Sequence, residues 1–213
     1  MTDQIDSKAR QLMDDPVALF NESITQMHMI DREELESIQR HAMSTRFQEH
    51  YESVEVLRTL ADRLGITELN EFNDVVPLFF PHTAFKSYPA ALLTNKRFDL
   101  MTKWLNKQTS YDLSDLNVEG CDSVDEWIDR LDQDTPLEVI TSSGTTGTIS
   151  LIPKSKRGAR YNMLMWKMFL FQNFGEEPTE DQLNPQVDVI WPNHYKGKLG
   201  HLRLGQMIMT EFT

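Results

Sequence analysis

Apolar residues recur at intervals of three and four along the first part of the chain, residues 1–65, and this spacing predicts helices. Asp15 followed by Pro16 predicts a helix start, because aspartate caps helices well and proline fits the first helical position. Asp31, with Glu34 three residues later, predicts a second start of the capping-box type. This region is therefore predicted to be helical throughout.

The helical spacing continues over residues 35–64 and stops at Gly65, a residue suited to the left-handed position that ends a helix. One long helix or two shorter helices both fit this stretch. Residues 43–45 are its weakest point, and two helices would be expected to divide there.

The second region of the chain is residues 66–135. Three prolines interrupt its first part, and they predict an extended connector there instead of a helix. Two short amphipathic helices are predicted beyond it. One covers residues 95–106, and the other covers residues 122–131 and is capped by Asp122 or Ser123. The interrupting residues are Pro77, Pro81 and Pro89.

Strand-like runs first appear in the last region, residues 136–213. Residues 137–140 are typical of a short buried strand, and a second strand is predicted after the loop that follows. Ser155 is predicted to cap a long helix, and residues 187–191 to form another strand that ends at Pro192. The order of these elements predicts an α/β fold, in which N-terminal helices precede part of a mixed β-sheet covered by helices.

The loop between the first two strands is the most informative stretch of the chain. Its glycines let the backbone turn tightly and approach an anion, and its amides and hydroxyls can donate to phosphate oxygens. Such a loop after a buried strand predicts a phosphate-binding site, and the alternative is a surface turn that binds nothing. The candidate phosphate ligands are Ser142, Ser143, Gly144, Thr145, Thr146 and Gly147.

Two common phosphate loops do not fit this string. The P-loop has four residues between its glycines and ends in Gly-Lys-Ser/Thr, whereas two residues separate Gly144 from Gly147 and no lysine follows directly. The dinucleotide fingerprint also fails, because Ser143 and Thr145 flank a single glycine.

The string resembles the ATP-phosphate loop of the adenylate-forming superfamily, which includes acyl-CoA synthetases, phenylacetate–CoA ligases, luciferases and acyl-protein synthetases. In that family a Ser-Gly-Thr-Thr-Gly run lies between two strands and precedes a proline and a lysine. The family lysine would fall at Ser150, whereas here Pro153 and Lys154 come later. Lys154 is therefore a candidate ATP ligand on the condition that its side chain reaches the phosphates from this later position.

Upstream stretches carry further resemblance to two branches of the superfamily. Residues 49–65 resemble the helical segment near the start of phenylacetate–CoA ligases. Residues 76–81 and 83–87 resemble the proline-then-Phe-Lys passage of acyl-protein synthetases from bacterial luminescence systems.

The resemblance implies a ligase that uses ATP and Mg²⁺ to activate a small carboxylic acid as an acyl-adenylate. The acyl group would then pass to a thiol of coenzyme A or of a protein. Enzymes of this superfamily are longer, so the chain is expected to be part of their large N-terminal domain and inactive alone. The resemblance assigns no catalytic residue in this chain.

His194 is the candidate for binding the substrate carboxylate. It lies in residues 191–197, which match the proline–aromatic–histidine turn that leads to the acyl pocket of acyl-CoA synthetases. A histidine that bonds to nearby backbone or faces solvent is the alternative. The six histidines show no spacing typical of a zinc site, so no metal ligand is predicted in the protein.

Charge and composition narrow the function classes. A net charge of −12 disfavours a nucleic-acid binder, yet residues 144–175 contain five basic residues and no acidic one, which would attract a polyanion such as ATP. A single cysteine, Cys121, excludes an intrachain disulfide and is typical of a reducing compartment. Neither a secretory leader nor an apolar run of about 18 residues is present, which predicts a cytoplasmic protein without a membrane span.

Two other function classes fit the sequence. The chain could be a non-catalytic module that keeps the nucleotide loop, or a helical interaction domain whose residues 31–64 bind a partner. Binding of MgATP is expected of the enzyme and of the nucleotide-binding module, but not of the helical interaction domain.

Overall fold

Helices make up most of the chain in the computed structural model, which describes residues 2–142, 148–192, 194 and 196–212. The strands are few and short, so the α/β class holds only in a coarse sense: a mainly helical protein with one small sheet. The helices are α1 (Thr2–Asp14), α2 (Ile24–Met29), α3 (Arg32–Ser53), α4 (Glu55–Leu64), α5 (Ala90–Thr94), α6 (Phe98–Asn106), α7 (Val124–Asp134), α8 (Lys156–Phe171), α9 (Glu180–Leu183) and α10 (Gly200–Glu211), and the strands are β1 (Leu137–Thr141) and β2 (Leu151–Ser155).

The prediction that a helix starts at Asp15 and continues past Phe20 is wrong. The Asp15 carboxylate instead accepts a hydrogen bond from the N–H of Ala18 at 3.0 Å and caps a short 3₁₀ turn over Ala18–Phe20. Asn21 and Glu22 then take positive φ angles of 51° and 55°, which a continuous helix does not allow. The next helix, α2, therefore begins only after this turn, where Ser23 caps it.

Two helices, not one, follow Asp31, whose carboxylate accepts from the N–H of Glu34 at 3.0 Å as predicted. The helices α3 and α4 divide at Val54, not at residues 43–45. The N–H of Val56, in the first turn of α4, donates to the carbonyl of Lys107 at 3.1 Å, so a distant segment supports the break. Gly65 ends α4 with φ 69°, as its position predicts.

The connector has no α-helix before α5, in agreement with its prolines, but it contains 3₁₀ turns at Phe72–Leu78 and His82–Lys86. The two predicted amphipathic helices are present as α6 and α7. Ser123, and not Asp122, caps α7 by accepting from the N–H of Glu126.

The strands β1 and β2 form an antiparallel hairpin in which Leu137 is opposite Ser155 and Thr141 is opposite Leu151. Because side chains alternate across a strand, each strand presents one face to the core and one to α8 and α10. The core face carries Leu137, Val139 and Leu151, all with at most 1% exposure. Beside β1, Thr141 also forms a single parallel bridge with Leu199, so a third segment extends the sheet by one residue pair.

The prediction of a strand at residues 187–191 is wrong. This segment is irregular, and Ile190 is 93% exposed. The N–H of Val187 donates to the carbonyl of Phe212 at 3.1 Å. An apolar run becomes a strand only where a neighbouring strand accepts its backbone bonds, and no strand pairs with it in the described chain.

The largest core cluster lies between α6, α7 and the hairpin. Trp127 is fully buried in it, stacks on Phe98 with ring centroids 5.9 Å apart, and donates its indole N–H to the hydroxyl of Thr102 at 2.9 Å. The hairpin therefore rests on a buried, mainly apolar support.

Helix α8 joins the hairpin to the N-terminal helices. Ser155 caps it, as predicted, and its inner side contributes Met168 to a cluster with Val17 and Ile24. Just beyond its end, Gln172 accepts from the N–H of Ile24 at 2.8 Å and donates to the carbonyl of Glu22. In the described part of the chain, no helix combines the length and apolarity needed to cross a bilayer.

Candidate functional site

The two ends of the predicted phosphate loop meet at the tip of the hairpin. The N–H of Ser150 donates to the Ser142 hydroxyl oxygen at 2.9 Å, and the N–H of Ser142 donates to the Ser150 carbonyl at 3.3 Å. Residues 143–147, which include five of the predicted phosphate ligands, lie outside the described residues. Ser142 therefore closes the neck of the loop, and its hydroxyl proton is the donor it has left for a ligand.

A buried tyrosine holds the returning side of this neck. The Tyr88 hydroxyl donates to the carbonyl of Ile149 at 2.7 Å, and burial raises the pKa of Tyr88, so it stays protonated as a donor. The 3₁₀ turn His82–Lys86 just before it contacts β2. The structure thus places Tyr88 against the segment that leads from the loop into β2, although 61 residues separate Tyr88 from Ile149.

Lys154 lies three residue pairs from the loop end of the hairpin, opposite Glu138. At about 3.3 Å per residue, this is roughly 10 Å along the strand. Its side chain is exposed on the outer face of the hairpin and lines a cleft there. Lys154 is thus placed on the cleft wall and not at the neck.

The cleft lies between the outer face of the hairpin, α8 and α10. It consists of two adjoining cavities of about 500 and 280 Å³ that share a wall containing Glu138, Ala159 and Arg203. Small residues on the facing helices, among them Ala159 and Gly200, leave this space open. Its basic lining residues are Lys154, Lys156, Arg160 and Arg203, and its acidic ones are Glu138 and Glu211.

Asp132 of α7 is the centre of an ionic network behind this cleft. Its Oδ1 accepts from the N–H of Val139 at 3.2 Å. Its Oδ2 accepts from Arg203 Nη2 at 2.5 Å and lies 3.4 Å from Lys198 Nζ. The side chains of Asp132, Lys198 and Arg203 are 17%, 18% and 11% exposed, so water screens these charges poorly. Lys198 also pairs with Asp129.

Arg203 connects three elements of the site. Its Nη2 also donates to the carbonyl of Val139 at 3.2 Å, and its Nη1 lies 3.7 Å from Glu138 Oε1. Its Nε is buried and has no hydrogen-bond partner among the described residues. Sequence reasoning missed this network because Lys198 and Arg203 lie 66 and 71 residues after Asp132, and no motif links them.

The network fixes the segment beside the loop. The carbonyl of Lys198 accepts from the N–H of Thr141 at 2.8 Å, and Leu199 forms the parallel bridge to the same residue. Thr141 directly precedes Ser142 at the neck. The charges of Lys198 and Arg203 thus hold the start of α10 against the point where the loop leaves β1.

His194 is exposed, and its backbone carbonyl accepts from the indole N–H of Trp191 at 3.2 Å. The indole lies on α10 at Gly205, where an added Cβ would come within 2.7 Å of two ring carbons. Gly205 thus lets Trp191 pack on α10, and Trp191 positions the backbone of His194. The role of His194 in binding a carboxylate stays a prediction.

Replacement of Gly205 by alanine should displace Trp191 from α10, because the added methyl group occupies the place of the ring. We expect a red shift in tryptophan emission, since the displaced indole becomes more hydrated. Gly200→Ala is the matched control in the same helix, where the added Cβ would lie 3.4 Å from Ile140. Equal emission spectra for the two variants would contradict the packing of Trp191 against Gly205.

The chain has no match among protein-family models, curated proteins or solved structures.

Proposed function

We propose that the protein binds MgATP through the loop between β1 and β2 and uses it to activate a carboxylic acid. The observation that carries the proposal is the placement of the Ser-Ser-Gly-Thr-Thr-Gly string between two paired strands. Two hydrogen bonds between Ser142 and Ser150 hold the two ends of this string together. Amides and hydroxyls of the kind that the string contains can donate to phosphate oxygens.

The surroundings of the loop support a polyanionic ligand. Four basic side chains, Lys154, Lys156, Arg160 and Arg203, line the cleft beside the hairpin, against two acidic ones. Such a surplus of positive charge attracts a nucleoside triphosphate even in a chain whose net charge is −12. The larger cavity, of about 500 Å³, is of the size that small-molecule sites have, about 300–1,000 Å³.

The proposed reaction has two steps. A carboxylate oxygen of the acid attacks the α-phosphorus of ATP, a new P–O bond forms, and the bond to pyrophosphate breaks. A thiol of coenzyme A or of a protein then attacks the carbonyl carbon of the acyl-adenylate, and AMP leaves as the thioester forms. Residues 142–147 would bind the β- and γ-phosphates and stabilise the charge that develops on pyrophosphate.

Thermal unfolding with and without MgATP tests the binding step. A ligand at about 100 times its Kd stabilises a protein by about 2.7 kcal/mol, which for a domain of this size raises the Tm by roughly 5–10 °C. We expect this rise with MgATP and none with adenosine, because the phosphates provide the contacts. The double variant Gly144→Ala/Gly147→Ala should lose the rise, since the new side chains block the approach of the backbone to phosphate.

Gly175→Ala is the control for destabilisation by a glycine substitution. Gly175 has φ 92° and lies far along the chain from the loop, so its replacement should lower the Tm but keep the rise with MgATP. An unchanged Tm of the wild-type chain with MgATP would refute the proposal. Pyrophosphate exchange that depends on a carboxylic acid would support the activation step, whereas binding of MgATP alone supports only the nucleotide-binding part of the proposal.

A further inference from the structure

A second cavity, of about 370 Å³, lies at the open end of the hairpin, away from the loop. Leu137 and Ser155, at the opposite end of the strands from Ser142, form its hairpin side together with Pro153 in the middle of β2. At about 3.3 Å per residue, these residues lie roughly 10–16 Å from the neck along the strands. This cavity is therefore distinct from the proposed nucleotide site.

The basic side chains that line this cavity are Arg46, Arg157 and His50. Among the described residues no carboxylate lines it, although the chain has 33 acidic residues. Both arginines pair with acids that do not line the cavity: Glu49 lies 2.8 Å from Arg46, and Asp14 lies 4.0 Å from Arg157. The wall is thus basic in a strongly acidic protein.

Several donors on this wall have capacity for a ligand. Among the described residues Arg157 pairs only with Asp14, at 4.0 Å, which is too long for a hydrogen bond, and the His50 imidazole has no hydrogen-bond partner. Burial and the charge of Arg46 lower the pKa of His50, which favours the neutral ring with one N–H donor. Ser110 and Gln108 add a hydroxyl and an amide.

The remaining wall is apolar and includes Val54, Leu57 and Phe80. A ligand that fits both parts has an anionic group for Arg157 and His50 and an apolar body for this side. The volume lies in the range of small-molecule sites, about 300–1,000 Å³. We propose that this cavity is a second binding site, which takes a small organic anion with an apolar body, a carboxylate or a phosphate ester.

Titration with benzoate, followed by ligand-detected NMR, tests the proposal. We expect saturable binding in the millimolar range or tighter, and weaker binding of the uncharged analogue benzyl alcohol. Arg157→Gln should weaken benzoate binding by about tenfold or more, because it removes a charge-assisted hydrogen bond. Lys167→Gln is the matched control, since Lys167 lies on the same helix but lines neither this cavity nor the cleft.

The proposal is overturned by an absence of saturable benzoate binding, by equal binding of benzyl alcohol, or by equal affinity of the Arg157→Gln and Lys167→Gln variants. If inorganic phosphate binds more tightly than benzoate, the claim that the ligand has an apolar body is wrong. Benzoate binding should persist in the variant Gly144→Ala/Gly147→Ala. Its loss there would place benzoate in the nucleotide region and remove the case for a second site. The proposal does not depend on ATP binding, so either can fail alone.

Discussion

Replacement of Asp132 by alanine is expected to lower the free energy of unfolding by about 3–5 kcal/mol. The carboxylate accepts from the N–H of Val139 and from Arg203 and lies 3.4 Å from Lys198. Its removal leaves two cations, 11% and 18% exposed, with less compensation in a site that water reaches poorly. It also leaves the Val139 N–H without this acceptor. Urea unfolding followed by circular dichroism measures the loss.

Asp134→Ala is the matched control for this change. Asp134 lies on the same helix and pairs with Arg130 at 3.8 Å, but both side chains are well exposed, at 52% and 38%. An exposed pair of this kind contributes less than about 1 kcal/mol. Similar losses for the two variants would show that the buried network adds little to stability.

The Asp132 variant should also affect the site. Lys198 and Arg203 hold the segment that bonds to Thr141, and Thr141 directly precedes the neck of the loop. If this network positions the loop, an Asp132→Asn variant that still folds should show a smaller rise in Tm with MgATP than the Asp134→Ala variant. Equal rises would limit the network to a structural role.

Trp127→Ala is expected to cost about 3–5 kcal/mol of unfolding free energy, the range for large aromatic residues removed from a core. Trp127 is fully buried, stacks on Phe98 and bonds to the buried Thr102. Its removal leaves a cavity under β1, which destabilises the fold. The Thr102 hydroxyl loses the indole donor but still donates to the carbonyl of Phe98 at 2.8 Å. The loss should appear in urea unfolding as a lower midpoint with a similar slope.

Trp166→Ala provides the comparison, because Trp166 is the same residue type on α8 but is 47% exposed. We expect a loss of less than about 1 kcal/mol there, since surface substitutions away from special features have small effects. A large loss at Trp166 would show that this side of α8 is covered in the folded protein.

Elements whose signals are local in sequence were predicted well. Asp31 and Ser155 cap helices through bonds to N–H groups three residues later, and Gly65 ends α4 with a positive φ. The two strands around the loop were also predicted, because their apolar runs are short and bounded by turn-forming residues. Such signals need no information about distant parts of the chain.

The errors occur where distant contacts decide the structure. The break between α3 and α4 lies at Val54 instead of residues 43–45, and it is accompanied by a hydrogen bond between the N–H of Val56 and the carbonyl of Lys107. Residues 187–191 have a strand-like pattern but no strand beside them in the described chain. In each case a tertiary partner, present or missing, overrides the local preference.

The sequence by itself determined the helix caps, the two strands around the Gly/Ser/Thr loop and the basic character of the segment that follows it, because each depends on residues close together in the chain. Only the tertiary structure decided that Asp132, Lys198 and Arg203 form one network and that Tyr88 bonds to the loop neck. It also placed Arg157 and His50 on one cavity wall. These groups lie far apart in the chain and meet only on folding, so the spacing of residues in the sequence does not predict their contacts.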